Sequence, residues 1–145
     1  MKRKLLAGGI LLCTGLLSSC TNVAVSQMKT TDSVFTKELA DTQRTTLAPK
    51  GITKNFTIND PVVNILVTVR WNPTKANAGI KFIRWEWYTG AELISKVNAK
   101  FNFYTTPFIL LGNIPTRSLG LGKHHVKLFI EDVQFADEAF EVTNE

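Results

Sequence analysis

The chain has 145 residues, 44% of them hydrophobic and 20% charged, which is enough to form one domain with its own core. Its formal net charge is +5, but three of the 17 basic residues lie together at positions 2–4. The rest of the chain has 14 basic and 12 acidic residues, and the basic ones are scattered among the acidic ones. A nucleic-acid partner needs a clustered basic surface, so we expect none.

Residues 1–19 have the layout of an export signal. Three cations at positions 2–4 precede an apolar run from Leu5 to Leu17 that contains only small or uncharged interruptions. A run of about 13 residues rises about 20 Å as a helix, which is short of the roughly 30 Å hydrocarbon core of a bilayer. The run therefore predicts a cleaved signal peptide over residues 1–19 rather than a permanent transmembrane anchor.

The apolar run ends in the sequence Leu17-Ser18-Ser19-Cys20. This resembles the lipobox of bacterial lipoproteins, in which small residues precede an invariant cysteine, and the match covers every position of the motif. The resemblance implies that Cys20 receives a diacylglyceryl group and is held in a membrane through its acyl chains. Cys13 is the only competing position, and bulky leucines precede it. The alternative is an ordinary signal peptide followed by a coincidental cysteine.

Two further expectations depend on this resemblance. Thr21 follows the cysteine, at a position where lipoproteins retained in the inner membrane of double-membraned bacteria commonly carry Asp. An outer-membrane anchor facing the periplasm is therefore favoured, and display on the cell surface is the alternative. The mature chain would keep no free thiol and no disulfide, because Cys13 leaves with the signal and Cys20 is alkylated. Redox chemistry and thiolate metal sites are not expected.

Residues 20–33 are rich in Thr, Ser and other polar residues without sustained periodicity. They predict a flexible tether between the lipid on Cys20 and a domain over residues 34–145. As a flexible coil this tether would span on the order of 20 Å, so the domain would stand clear of the bilayer. Alternatively, part of the stretch adds an edge strand, since Val34, Phe35 and Leu39 indicate order nearby.

From Phe56 onward, β-branched and aromatic residues alternate with polar ones, and Gly, Pro and Asn interrupt the runs. Apolar residues occupy every second position from Val63 to Trp71, and Ile83, Trp85 and Trp87 share one side of the next strand. The predicted strands after Trp71 cover residues 80–89, 92–97, 100–105, 108–111, 124–131 and a last segment that includes 140–142. About seven short strands without a long helix predict an antiparallel all-β sandwich.

The last predicted hairpin shows, in order, a glycine, an alternating strand, a tight acidic turn and a Phe-x-Val ending. These features are Gly122, residues 124–131, Asp132, and Phe140 with Val142. Together with the strand that ends in Trp71 and the Trp85-x-Trp87 strand, this pattern resembles the immunoglobulin-like accessory domains of bacterial envelope proteins. The resemblance implies an immunoglobulin-like β-sandwich that binds or positions a partner, although the paired cysteines of antibody domains are missing.

No pattern in the mature sequence is typical of catalysis. His124 and His125 are the only histidines, and as neighbours on a strand they should point to opposite faces, which is poor geometry for one metal ion. No serine lies in a Gly-x-Ser-x-Gly elbow, and a solvated turn explains the acidic pair Glu131-Asp132. We expect a protein that is not an enzyme and has no metal and no cofactor.

The best candidates for a partner surface lie on the outward side of two predicted strands. Arg84, Glu86 and Tyr88 alternate with buried positions of one strand, and Phe129, like Leu66, is an apolar residue at an outward position. The leading hypothesis is a non-catalytic, membrane-anchored lipoprotein whose sandwich binds or positions an envelope protein. Its lipid would confine the search to a membrane plane and raise the effective concentration.

Two alternatives belong to other functional classes. Exposed aromatic side chains would let the domain stack on sugars as a carbohydrate or cell-wall binding module, although the strand pattern of Trp85 and Trp87 favours core packing. The other alternative is a purely structural or surface-exposed lipoprotein. Protease accessibility on intact cells would separate this last class from a periplasmic protein.

Overall fold

The computed structural model describes residues 23–42, 46–75 and 77–145. The predicted signal peptide and Cys20 lie outside these residues. In the described part of the chain, no helix combines the length and the apolar character needed to cross a membrane.

Within the described residues, nine strands form two sheets. In chain order they are β1 (Lys29–Thr42), β2 (Thr46–Ile52), β3 (Asn55–Thr57), β4 (Val62–Arg70), β5 (Gly79–Thr89), β6 (Glu92–Phe103), β7 (Phe108–Pro115), β8 (Gly122–Ile130) and β9 (Val133–Thr143). A single turn of helix, α1 (Thr116–Leu119), joins β7 to β8, and a 3-10 turn (Val25–Gln27) precedes β1.

The four-stranded sheet has the order β2-β1-β4-β7, and the five-stranded sheet has the order β3-β9-β8-β5-β6. The pairings are antiparallel except that β3 pairs with β9 in parallel. Side chains from the inner faces of both sheets form one hydrophobic core. The predicted all-β sandwich is therefore confirmed.

The number of strands differs from the prediction of about seven. The sequence did not predict β2, which Pro49 and Gly51 interrupt, and offered β1 only as the alternative to a tether, because few apolar residues alternate in β1. The two strands predicted over 92–97 and 100–105 are one strand, β6, which stays paired with β5 along its length apart from a local register shift. The short parallel strand β3 makes the second sheet mixed rather than purely antiparallel.

The predicted tether over residues 20–33 also needs correction, because residues 23–33 belong to the domain. Val23 is 1% exposed and Met28 is 5% exposed, and both pack in the core. The strand β1 begins at Lys29 and pairs with β4 from its first residue. The alternative, an additional edge strand, agrees better with the structure than the tether does. However, β1 lies inside the sheet, between β2 and β4, rather than at its edge.

The core confirms the predicted inward side of β5. Ile83, Trp85 and Trp87 are 3%, 4% and 1% exposed, and the Trp87 ring packs edge-on against Phe140 with centroids 6.0 Å apart. On β6, Phe103 is buried, whereas Phe101 is 41% exposed. The strand β6 is at the edge of its sheet, so the side chains on it have a neighbouring strand on one side only.

Candidate functional site

The four predicted surface residues lie together on the outer face of the five-stranded sheet. Arg84, Glu86 and Tyr88 alternate along β5 with the buried residues, so their side chains share the outward side. In the ladder between β5 and β8, they lie opposite Phe129, Lys127 and His125 respectively. We call this set of six residues the β5–β8 face.

A carboxylate at the centre of the β5–β8 face joins its neighbours. Glu86 accepts a hydrogen bond from Nε of Arg84 at 2.7 Å through one oxygen, and from the hydroxyl of Tyr88 through the other. The same guanidinium donates through Nη1 to Oδ1 of Asp132, in the turn after β8. The side chains of Arg84 and Glu86 are only 22% and 13% exposed, so the pair is partly shielded from solvent.

The hydrogen bonds on this face change the acidity of their members. The hydroxyl of Tyr88 lowers the pKa of Glu86, and the guanidinium of Arg84 adds to this, while partial burial acts in the opposite direction. In return, the hydrogen bond to Glu86 raises the pKa of Tyr88. The pKa of Arg84 is raised by its hydrogen bonds to Asp132 and then to Glu86. The carboxylate therefore stays charged and the phenol stays neutral across ordinary pH.

Ring contacts fix the remaining side chains of the face. The guanidinium of Arg84 lies over the ring of Phe129, 4.2 Å from its centroid, so the outward Phe129 is covered and is not an open apolar patch. The ring of Tyr88 stacks on His125 with centroids 4.8 Å apart and planes at 21°. Both contacts restrict the conformations of the Arg84 and Tyr88 side chains.

Leu66, the other apolar residue predicted to point outward, has a different environment. It is 4% exposed and lies on the outer side of the four-stranded sheet, where its ladder partners are Val34 and Leu111. These three apolar residues therefore form a row across that sheet. The structure does not bring Leu66 together with the β5–β8 face.

The turn between β8 and β9 contributes to the site, which the sequence alone did not indicate. Glu131 and Asp132 both have positive φ, of 49° and 65°, as the tight turns of two-residue hairpins require. The Glu131 carboxylate accepts the backbone N–H of Phe82 at 2.7 Å, and Asp132 binds Arg84. The acidic pair is thus more than a solvated turn, since it ties the hairpin to β5.

A cavity of about 260 Å³ opens beside the guanidinium of Arg84. Its lining comes from β5, β6, β8 and the acidic turn, and comprises Phe82, Ile83, Arg84, Asn98, Phe129, Glu131 and Asp132. Next to it on the outer side of β5, Ile80 and Phe82 are 67% and 55% exposed. The β5–β8 face therefore has a fixed charged centre, and exposed apolar side chains lie beside it towards the start of β5.

The two histidines have the opposite orientations that the sequence predicted. His124 is 2% exposed, its Nε2 donates to the carbonyl of Gly120 at 2.9 Å, and its Nδ1 lies 2.9 Å from the hydroxyl of Thr89. His125 is on the outer side, against Tyr88. Across residues 23–42, 46–75 and 77–145, no three His, Cys, Asp or Glu side chains gather where one metal ion would reach them.

The tryptophans are not available to stack on sugars. Trp71, Trp85 and Trp87 are 5%, 4% and 1% exposed. The indole N–H of Trp71 donates to the backbone carbonyl of Lys75 at 2.6 Å, and this hydrogen bond holds the ring in its buried position. The carbohydrate-binding alternative therefore has no support from these three rings.

Comparison with known proteins identifies the fold. No protein-family model matches the chain, and no curated protein matches it. Among solved structures, an immunoglobulin-like protein from Pseudomonas aeruginosa is similar with a TM-score of 0.52 and 7% identity, over 84% of this chain and 98% of that protein. The alkylpurine DNA glycosylase AlkC from Pseudomonas fluorescens, solved with DNA containing an abasic site analog, is similar with a TM-score of 0.50 and 10% identity.

The second similarity covers 81% of this chain but only 30% of the glycosylase. A β-glucosidase from Listeria innocua, in complex with glucose, gives a TM-score of 0.46 at 12% identity, over 80% of this chain and 16% of that enzyme. At such identities structural likeness concerns the fold and not the activity. The similarity to the immunoglobulin-like protein, together with the two packed sheets, confirms the predicted immunoglobulin-like β-sandwich.

Proposed function

We propose that this chain is a non-catalytic, lipid-anchored module of the bacterial envelope that binds a partner protein through the β5–β8 face. The anchor is Cys20, on the strength of the Leu17-Ser18-Ser19-Cys20 motif. The favoured location is the outer membrane, facing the periplasm. The partner is an envelope protein, and no nucleic acid takes part.

The observation that carries this proposal is the preorganised cluster around Arg84. Arginine and tyrosine are, with tryptophan, the side chains most enriched at the energetic centres of protein interfaces. Here Arg84 and Tyr88 are held by one carboxylate, and each also contacts an aromatic ring. Side chains that are already fixed lose little conformational entropy when a partner binds, so their contacts contribute more to affinity.

The arrangement also supports a binding role over a catalytic one. The carboxylate of Glu86 is engaged at both oxygens, and the phenol of Tyr88 donates to it. A general base or acid needs a proton site that faces a substrate, and these groups already face each other. Their geometry is that of a structural hydrogen-bond network whose side chains are partly exposed to solvent.

Site-specific photocrosslinking tests the proposal in cells that make the full chain. A photoreactive phenylalanine analogue replaces Lys96, an exposed residue of β6 opposite Glu86, and the matched control places it at Asn113, an exposed position on the outer side of the other sheet. We expect one reproducible protein adduct from position 96 and none from position 113. Adducts of equal yield at both positions, or none at either, would contradict this face as the partner surface.

A second variant connects the adduct to the cluster itself. Arg84→Ala removes the guanidinium that lies over Phe129 and binds Glu86. Because interface centres of this kind contribute about 2 kcal/mol or more, the adduct yield should fall roughly tenfold or more. Mass spectrometry of the processed chain tests the anchor separately, since an unmodified thiol at Cys20 would exclude lipidation.

A further inference from the structure

We propose that one end of the sandwich rests directly on the lipid surface. This end, called here the N-terminal end, comprises the starts of β1, β5, β7 and β9 and the ends of β4, β6 and β8. The ladders group these termini within each sheet, since Lys29 pairs with Arg70, Gly79 with Phe103, and Ile130 with Val133. The hydroxyl of Thr30 in β1 donates to the carbonyl of Phe135 in β9 at 2.7 Å, so the ends of the two sheets lie together. The inference rests on the lipid anchor at Cys20 and adds an orientation to it.

The covalent chain limits how far this end can stand from the membrane. Val23 is buried in the core, and a single 3-10 turn connects it to the start of β1, with the N–H of Met28 donating to the carbonyl of Val25 at 3.0 Å. Cys20 precedes Val23 by three residues, which span at most about 11 Å even when extended. Acyl chains on Cys20 therefore bring the N-terminal end against the headgroups.

Exposed apolar side chains are concentrated at the same end. Five of the nine large hydrophobic residues that are prominently exposed in the described part of the chain lie there. They are Ile80 at 67%, Phe82 at 55%, Phe101 at 41%, Tyr104 at 63% and Val133 at 50%. Aromatic rings, and tyrosine in particular, favour the boundary between headgroups and acyl chains, where an apolar body and a polar tip are both satisfied.

The charges at this end also suit a lipid surface. Among the described residues the exposed cations are Lys29, Arg70, Lys75 and Lys100, since Lys81 is buried, and the carboxylates are Asp32, Glu131 and Asp132. Two of these carboxylates are engaged within the protein, since Asp132 binds Arg84 and Glu131 accepts the N–H of Phe82. The remaining excess is positive, and anionic headgroups attract lysine and arginine near a membrane surface.

The opposite end serves as an internal reference. Leu121 is 51% exposed there, next to the start of β8, so exposure alone does not distinguish the two ends. Strands of nine to eleven residues such as β8 and β5 separate them. At about 3.3 Å per residue the separation is roughly 30 Å, so a probe at Leu121 should lie beyond the headgroups when the N-terminal end touches them.

Fluorescence quenching by lipids tests the orientation in the full, lipidated chain. Tyr104→Cys and Val133→Cys place an environment-sensitive fluorophore at the N-terminal end, and Leu121→Cys is the matched control at the opposite end. Labelling is specific because Cys13 and Cys20 are the only cysteines of the chain, the first removed with the signal and the second blocked by lipid. The vesicles contain phosphatidylethanolamine and phosphatidylglycerol, with spin-labelled acyl chains as quencher.

We expect the fluorophores at 104 and 133 to shift their emission to the blue and to lose most of it to the quencher, while the fluorophore at 121 does neither. If the protein floats with the vesicles but the three positions behave alike, or only 121 is quenched, the orientation is wrong and the anchor stands. If the protein fails to float with the vesicles, the anchor itself fails and both proposals are overturned.

Discussion

Gly112 in β7 lies against the ring of Trp85, which belongs to the opposite sheet. The space there accommodates the hydrogen atom of glycine but not a Cβ atom. A Cβ at this position would sit 2.9 Å from two ring atoms of Trp85. We expect Gly112→Ala to destabilise the fold by about 1–3 kcal/mol, the usual cost of overpacking a core. Urea unfolding followed by tryptophan fluorescence measures this change in free energy.

A second substitution separates this clash from other effects of alanine in β7. Trp85→Phe removes the fused ring atoms that the new Cβ would meet. Alanine at 112 should therefore cost less in the Trp85→Phe background than in the natural chain. Equal costs in the two backgrounds would show that the close approach to Trp85 is not the reason.

The hydroxyl of Tyr88 supports a second prediction at the scale of single residues. Tyr88→Phe removes one of the hydrogen bonds that lower the pKa of Glu86, so this pKa should rise toward its ordinary value of about 4.5. Carbon-13 NMR titration of the Glu86 carboxyl measures it. Loss of a hydrogen bond to a charged group should also cost about 1–2 kcal/mol at neutral pH, whereas Tyr104→Phe, at an exposed tyrosine, should cost almost nothing.

The sign of the pH dependence follows from the direction of that shift. Because folding lowers the pKa of Glu86, its interactions stabilise the fold above the ordinary carboxyl pKa, and this contribution disappears as the pH falls through the lowered value. The natural chain should therefore lose more stability on acidification than Tyr88→Phe does. An unchanged pKa of Glu86 in the variant would contradict the role given to the hydroxyl.

At the scale of elements, the sequence predicted best where one side of a strand is buried and the other is wet. The alternation in β5 and β8 placed their inward residues correctly, because period-two alternation decides which side of a half-buried strand faces the core. The strand β1 was predicted only as an alternative to the tether, because its formation depends on pairing with β2 and β4 rather than on its own polar sequence. Tertiary pairing is not visible in local periodicity.

The candidate site shows the same division. Alternation with the buried residues of β5 identified Arg84, Glu86 and Tyr88, and Phe129 was found as an apolar residue on an outward position. The part played by Asp132 was missed, because it depends on a turn with positive φ that brings the carboxylate to a guanidinium 48 residues away in sequence. A local pattern predicts on which side of a strand a residue lies, but it does not predict which residue of another strand or turn that side chain contacts.

The strand β6 supports a prediction about an element. It is the edge of its sheet, and Lys96 and Lys100 project from its outer side, opposite Glu86 and Phe82 of β5. Charged residues on edge strands oppose pairing with other molecules, since an edge offers unpaired backbone groups. We expect Lys96→Val with Lys100→Val to promote self-association, detected by sedimentation velocity.

The control for this double variant removes the same charge elsewhere. Lys75→Val with Lys123→Val also replaces two exposed lysines, one in the loop before β5 and one in β8, which is paired on both sides. This control should remain as monodisperse as the natural chain. If both variants associate alike, the cause is reduced net charge rather than an unprotected edge.

At the scale of the whole molecule, the position of the first buried residue among those described decides how the domain and the membrane are related. A tether of thirteen residues would let the sandwich reach away from the bilayer in many orientations. Burial of Val23 and Met28 leaves only residues 21 and 22 between the core and Cys20. The β5–β8 face would then stand beside the membrane, where a partner in the same plane meets it in a restricted orientation.

Truncation of the unlipidated chain tests where the domain begins. A chain that starts at Thr21 keeps the whole core, whereas one that starts at Val34 loses two buried side chains and the first five residues of β1. Each buried side chain contributes about 1.5–3 kcal/mol, and small domains are stable by only about 5–15 kcal/mol in total. We expect cooperative thermal unfolding, followed by near-ultraviolet circular dichroism, for the first chain and its loss for the second.

Point variants make the same comparison without shortening the chain. Val23→Ala with Met28→Ala should lower the free energy of unfolding by several kcal/mol, about 2 kcal/mol or more of it from the methionine. Ser26→Ala, at an exposed position between them, should change it by less than about 0.5 kcal/mol. A chain starting at Val34 that unfolds like the longer one, or a double variant as stable as Ser26→Ala, would mean that these residues are a tether after all.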